Sequence, residues 1–136
     1  MKQIKQIYDF QQRYQRKIGV YGQKPSMQVF DLRVQLISEE LFELVKAWRE
    51  ESVVNCYKEL IDLMYVVFGA ACDFGLHPDL VEQIFDEVHK SNMSKGTNGE
   101  PVFNEAGKVL KGYDYTPADL SFLKVWCISI KYLPAI

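Results

Sequence analysis

Residues 38–62 read SEELFELVKAWREESVVNCYKELID, and this stretch decides the fold. Phe30, Val34, Ile37, Leu41, Leu44, Val45 and Trp48 recur at three- and four-residue steps, the period of a helix with one apolar stripe. The spacing predicts a helix over about residues 27–50, capped by Ser26. The polar Glu50-Glu51-Ser52 interrupts the pattern. A second apolar stretch then predicts a helix over about 53–74, with Gly75 just past its end. From Leu60 to Phe74 it is apolar almost all round, as expected of a helix buried in a bundle or at a subunit interface. If the two helices fold back on each other at this break, they form an antiparallel hairpin turning near residue 51.

Two more helices flank the hairpin. Ile4, Ile7, Tyr8, Gln11, Tyr14 and Ile18 form one stripe and predict a helix over about 2–18. Gly19 to Ser26, with two glycines and a proline, reads as a loop. Pro78 stands at a natural first helical position, opening a helix over about 78–93. The character then changes. Lys95 to Glu100 is a loop, and Pro101-Val-Phe103 and Lys108-Val-Leu110 around Asn104–Gly107 predict a small hairpin. Thr116-Pro117-Ala-Asp119 predicts the start of a short helix. In the apolar tail, Trp126, Ile128, Ile130 and Tyr132 alternate as in a strand. The expectation is an all-α, four- to five-helix antiparallel bundle with a small C-terminal β-hairpin. It is one domain over residues 1–136, with its core at about 3–124 and an apolar tail at 125–136.

Composition removes several classes. The chain has 136 residues, a net charge of −2 and 48% apolar residues, the mix of an ordinary globular domain. No apolar run reaches the ~18 residues of a membrane span, and the first 17 residues lack the apolar stretch of a secretory signal. The near-neutral charge argues against a nucleic-acid partner. Cys56, Cys72 and Cys127 are odd in number and widely spaced, which fits a reducing cytoplasm rather than a disulfide framework or zinc site.

The chemistry lies in two acid pairs, Glu40-x-x-Glu43 and Glu59-x-x-Asp62, with Glu39 beside the first. Residues three apart share a helix face. In an antiparallel hairpin turning near residue 51, Glu43 falls level with Glu59 and Glu40 with Asp62. The four carboxylates then converge between two helices. Glu59 and Asp62 stand in an otherwise apolar helix, where unpaired buried charges cost several kcal/mol each. Like charges this close also raise each other's pKa. A divalent cation relieves both penalties, and an all-oxygen donor set points to Mg²⁺ or Mn²⁺. The competing reading is a solvated acidic face, which suits Glu39, Glu50 and Glu51 better than Glu43, Glu59 and Asp62.

A second cluster closes the fourth helix: Asp86, His89 and Asn92 on one face, then Lys95. Asn92, Lys95, Lys108 and Lys111 are candidates to hold phosphate oxygens. For Lys95 the alternative is a lysine placed by the helix dipole. For Lys108 and Lys111 it is an exposed hairpin edge. Phe10, Tyr14, Trp48 and Tyr65 are aromatic residues able to stack on a base or to fill a core.

The two acid pairs, fifteen residues apart, resemble the signature of the all-α nucleoside triphosphate pyrophosphatases, which include MazG-like proteins, phosphoribosyl-ATP pyrophosphohydrolase and the dimeric dUTPases. Val88–Lys95, Gly107-Lys-Val-Leu-Lys-Gly112 and Thr116–Leu120 are similar to the phosphoribosyl-ATP pyrophosphohydrolase-like branch. The resemblance covers about residues 3–124. It implies a helical bundle assembled as a dimer or tetramer. It implies hydrolysis between the α and β phosphates of a nucleotide, giving a monophosphate and pyrophosphate. Glu40, Glu43, Glu59 and Asp62 match the family's magnesium ligands. Glu39 matches an acid that binds a further ion or helps to activate water in some members, and Asn92 and Lys95 match positions near the phosphates. Glu39 and Glu43 are therefore the expected catalytic carboxylates, and a spare carboxylate can take a proton from the attacking water.

Other readings remain open. A non-catalytic helical interaction module predicts no metal affinity, and a phosphoribosyl nucleotide is an alternative substrate. A di-iron carboxylate bundle needs two Glu-x-x-His pairs, which His77 and His89 do not supply. The base is not legible.

Overall fold

The computed structural model describes residues 1–50 and 52–123. It contains four helices: α1 Lys2–Arg13, α2 Met27–Glu50, α3 Val53–Asp73 and α4 Pro78–Met93. The all-α expectation holds. No single helix among the described residues is long and apolar enough to cross a membrane. The chain divides into two compact units, Met1–Asp79 and Leu80–Ile136.

In the first unit, α2 and α3 form the expected antiparallel hairpin, and α1 packs on α3. Each start has a chemical cause. The Ser26 hydroxyl accepts from the Val29 amide at 3.4 Å. Ser52, part of the polar break, caps α3 by accepting from the Asn55 amide at 3.3 Å. The end of α3 is a Schellman motif: Leu76 N–H donates to Ala71 O at 3.0 Å and Gly75 N–H to Cys72 O at 2.9 Å. Gly75 takes φ +70 there, where a Cβ would lie 2.4 Å from the Tyr21 backbone nitrogen.

The first helix is shorter than its stripe predicts. It ends at Arg13, and the same motif closes it, with Arg16 N–H donating to Gln11 O and Gln15 N–H to Gln12 O. Gln15 stands at φ 51, where glycine would be usual. Tyr14 and Ile18 therefore leave the helix. The chain turns back, and Gly19 N–H donates to Cys72 O at 2.9 Å. A Cβ on Gly19 would overlap the Asp73 carbonyl.

An ion pair ties α2 to α3. Arg33 Nε donates to Asp73 Oδ2 at 2.7 Å, both side chains buried, and Arg33 Nη1 donates to Val66 O at 3.4 Å. The guanidinium lies against Gly69, the one residue type without a Cβ to collide with it. Among the described residues, the buried apolar ones are Ile4, Ile7, Ala47 and Cys72. The expectation that α3 is buried on all sides is not met within one chain, since Leu60, Ile61, Met64 and Val67 stay exposed. The tight α2–α3 contact covers only one stripe of each helix.

Helix α4 begins at Pro78, as expected, and most of it belongs to the second unit. The hairpin prediction is corrected: residues 101–110 form no strands among the described residues. One isolated antiparallel bridge joins Phe103 to Val109. The Asn104 side chain accepts from Ala106 and Lys108 amides, rounding the turn so tightly that pairing stops after one step. The helix start expected at Thr116 is also displaced. Residues 115–120 are irregular, with Thr116 held to the end of α4: its amide donates to Ser94 Oγ at 2.8 Å and its carbonyl accepts from Ser91 Oγ at 2.8 Å. The first helical residues follow at 122, where Asp119 accepts from the Ser121 amide. The strand-like alternation from Trp126 lies outside the described residues.

Candidate functional site

The hairpin register brings together three of the four acids that the spacing aligns. One carboxylate oxygen from each of Glu40, Glu43 and Glu59 lies within 4.8 Å of the others. Glu40 and Glu43 share a face of α2 because they are three residues apart. Glu59 faces them from α3 and is itself buried, at 8% exposure.

Asp62 stands just beside this trio rather than within it. Its Oδ2 accepts from Lys58 Nζ at 2.7 Å, and the same ammonium reaches Glu59 Oε1 at 3.0 Å and Oε2 at 3.1 Å. Sequence reasoning missed Lys58, although a lysine four residues before Asp62 is the standard helical pairing distance. Glu39 is exposed on α2 and does not join the group.

The electrostatics record the crowding. Burial pushes the Glu40 carboxyl above its usual range, and the charges of Asp62, Glu43 and Glu59 push it further, with Lys58 opposing them. The Lys58 ammonium is held well above the ordinary lysine value by its bonds to Asp62 and then Glu59. Three converging carboxylate oxygens, a buried member and no nitrogen or sulfur donor fit a hard divalent cation. Cys72 offers no competing nucleophile, because burial pushes its thiol up to about 11.

The second unit brings three of the four phosphate candidates together. Lys95, Lys108 and Lys111 line one open depression. Lys95 follows the end of α4. Lys111 is carried alongside because residues 112–116 bond back to residues 94–99. Asp114 N–H donates to Gly96 O at 3.0 Å, and Gly99 N–H to Asp114 Oδ2 at 2.8 Å. The Lys111 ammonium lies 4.5 Å from the centre of the Tyr115 ring. Asn92 is exposed on the last turn of α4 and does not line the depression. Asp86 and His89 are likewise exposed on α4.

The first unit also holds a cavity of about 270 Å³ between α1, α2 and α3, lined in part by Phe10, Gln11, Arg33, Leu36, Tyr65 and Gly69. The aromatic residues able to stack on a base or to fill a core separate here: Phe10 and Tyr65 meet edge-on at 5.6 Å and line the cavity, whereas Trp48 is 78% exposed.

The family model for phosphoribosyl-ATP pyrophosphohydrolase matches residues 7–92. That is well over half of the chain and includes all four acids of the two pairs. The chain belongs to this family, within the MazG-like all-α nucleoside triphosphate pyrophosphatase superfamily. Its class is therefore pyrophosphohydrolase. No curated protein matches the sequence closely enough to report.

Proposed function

We propose that this chain is a divalent-metal-dependent nucleotide pyrophosphohydrolase that cleaves between the α and β phosphates of a nucleoside or deoxynucleoside triphosphate. The products are a monophosphate and pyrophosphate. The observation that carries the reading is the trio of Glu40, Glu43 and Glu59 oxygens within 4.8 Å, in a chain of pyrophosphohydrolase family.

Glu40, Glu43, Glu59 and the adjacent Asp62 hold the cation, Mg²⁺ or Mn²⁺. When bound, the ion neutralises phosphate charge and acidifies water. The remaining work belongs to side chains. Glu59 is fixed by burial, so its oxygen is aimed before substrate arrives. Glu39, exposed on the same helix, and Glu43 are the acids proposed to take the proton of the attacking water. Lys95, Lys108 and Lys111 are suited to bind phosphate oxygens as point charges, and Asn92 to donate a hydrogen bond to one. Phosphoryl transfer asks for little beyond positioning and charge neutralisation, so no serine or cysteine nucleophile is needed.

A second substrate class has its own support. The matching family is defined on phosphoribosyl-ATP. A phosphoribosyl nucleotide would present the same triphosphate to the same carboxylates.

Self-association is part of the same proposal. Phe42, Trp48 and Tyr57 are 71%, 78% and 63% exposed on the two hairpin helices. Monomeric proteins rarely leave such apolar surface uncovered. A dimer or tetramer through the hairpin covers it, and sedimentation measures the mass. Product identity tests the reaction: phosphorus NMR of a nucleoside triphosphate incubated with enzyme and Mg²⁺ gives monophosphate and pyrophosphate. A diphosphate with inorganic phosphate would refute the proposed bond.

A further inference from the structure

We propose that Lys58 is a phosphate ligand that changes partners. Its ammonium bridges Glu59 and Asp62 in the unloaded hairpin, and moves onto an oxygen of the substrate's phosphate chain when the divalent ion takes those carboxylates. This rests on the pyrophosphohydrolase reading for its substrate and on three separate observations for the residue.

The first observation is the partner set. Lys58 Nζ lies 3.0 and 3.1 Å from the two oxygens of Glu59 and 2.7 Å from Asp62 Oδ2. An ammonium has three N–H donors, so these contacts use all of them. Glu59 also supplies one of the three oxygens that converge within 4.8 Å. Whichever Glu59 oxygen faces the ion, it is already bonded to the ammonium. Two cations on one carboxylate repel at short range, so one set of bonds loosens when the ion is held.

The second observation decides which side moves. The Glu59 side chain is 11% exposed, whereas that of Lys58 is 63% exposed. Glu59 is enclosed by the fold. Lys58 carries its charge on a flexible four-carbon stem with rotatable donors. Its ammonium can leave Glu59 without parting the two helices. Asp62, four residues on and outside the trio of acids, stays in reach as a tether.

The third observation is distance. Oxygen ligands lie about 2.1 Å from a bound Mg²⁺, and so about 3 Å from one another. A phosphate oxygen held beside the Glu59 oxygen then stands as far from it as the ammonium does now. Exchanging a carboxylate oxygen for a phosphate oxygen is therefore a short swing of one side chain. Charge favours the swing. The four acids carry up to four negative charges, and the phosphate chain adds more, so a cation between the two is stabilised by both.

The test uses the full chain and inorganic pyrophosphate, titrated by calorimetry at a Mg²⁺ concentration that saturates wild type and variant alike. Lys58→Met is expected to weaken pyrophosphate binding roughly tenfold, the scale of one charge-assisted hydrogen bond, while its Mg²⁺ affinity rises. Lys58→Arg, which keeps a charge and donors, is expected to recover most of the pyrophosphate affinity. Lys58→Gln serves if the methionine variant does not fold. A lysine that only braces the acids would move both affinities the same way, or neither. A second readout is the ¹⁵N-lysine ammonium resonance missing from Lys58→Met, which should shift with Mg²⁺ and again with pyrophosphate. Pyrophosphate bound as tightly by the folded variant, or not bound by wild type, overturns the proposal even where wild type cleaves triphosphates. Weakened pyrophosphate binding in Lys58→Met, with no triphosphate cleaved by wild type, would refute the catalytic reading and keep Lys58 as a polyphosphate ligand.

Discussion

Lys58 Nζ bridges Glu59 and Asp62, 2.7 Å from Asp62 Oδ2 and 3.0 Å from Glu59 Oε1. A built-in monovalent cation thus neutralises part of the acidic cluster in the absence of metal. It also competes for two of the carboxylates proposed to bind the divalent ion. Lys58→Met is expected to tighten Mn²⁺ binding roughly five- to tenfold, the scale of one like-charge interaction near the surface. The same variant is expected to melt lower than wild type in chelator, because Glu59 and Asp62 lose the cation that bridges them. Calorimetry and paired melts, with Mn²⁺ and with chelator, read both effects. Unchanged affinity would show that the lysine and the metal do not share ligands.

The Arg33–Asp73 pair is buried on both sides, at 9% and 5% side-chain exposure, and fixes α2 against the end of α3. Removing one partner strands the other charge in the interior. Asp73→Ala and Arg33→Met are each expected to cost about 3–5 kcal/mol in urea unfolding. Combining them should cost less than the two losses added, since neither charge is then left alone.

Gly75 and Gly107 share a left-handed backbone, at φ +70 and +77, but differ in surroundings. Nothing lies within 4 Å of a Cβ at Gly107, whereas one at Gly75 would press on the Tyr21 backbone at 2.4 Å. Gly107→Ala is expected to cost only the ~1–2 kcal/mol of the dihedral. Gly75→Ala should cost clearly more, because the loop that docks on α3 has to move. Urea melts of the two variants separate strain from packing.

Burial raises the Cys72 thiol from 9.0 to about 11. Its folded value exceeds its unfolded one, so its contribution to stability is complete below pH ~9 and is lost as pH rises through ~11. Iodoacetamide at pH 8 should modify the half-exposed Cys56 well before Cys72, as read by peptide mass mapping. Equal rates would contradict the burial.

Much of this was legible in the sequence, for identifiable reasons. The ends of α2 and α4 follow from Ser26 and Pro78, whose chemistry is local. The meeting of Glu40, Glu43 and Glu59 follows from a short turn and a fixed rise per residue. Other features lacked a local signal. Gln15 closes α1 in a conformation that sequence reserves for glycine, so the helix looked five residues too long. Phe103 and Val109 alternate correctly, yet the Asn104 side chain spends its hydrogen bonds on the turn. Lys58, Arg33 and Gln11 each interrupt or border an apolar stripe. The partners of Lys58 and Arg33, Asp62 and Asp73, become evident only once the helices are packed.

The central claim is that the carboxylates of the α2–α3 hairpin bind a divalent ion and use it to cleave a nucleotide. The most direct test measures pyrophosphate release from a panel of nucleoside triphosphates with Mg²⁺, comparing wild type with Glu43→Gln and following Mn²⁺ binding to both. The account predicts monophosphate and pyrophosphate from wild type, with loss of about a hundredfold or more in activity and weaker Mn²⁺ binding in the variant. Cleavage by Glu43→Gln at the wild-type rate, or wild type that neither binds Mn²⁺ nor cleaves any nucleotide, would contradict it.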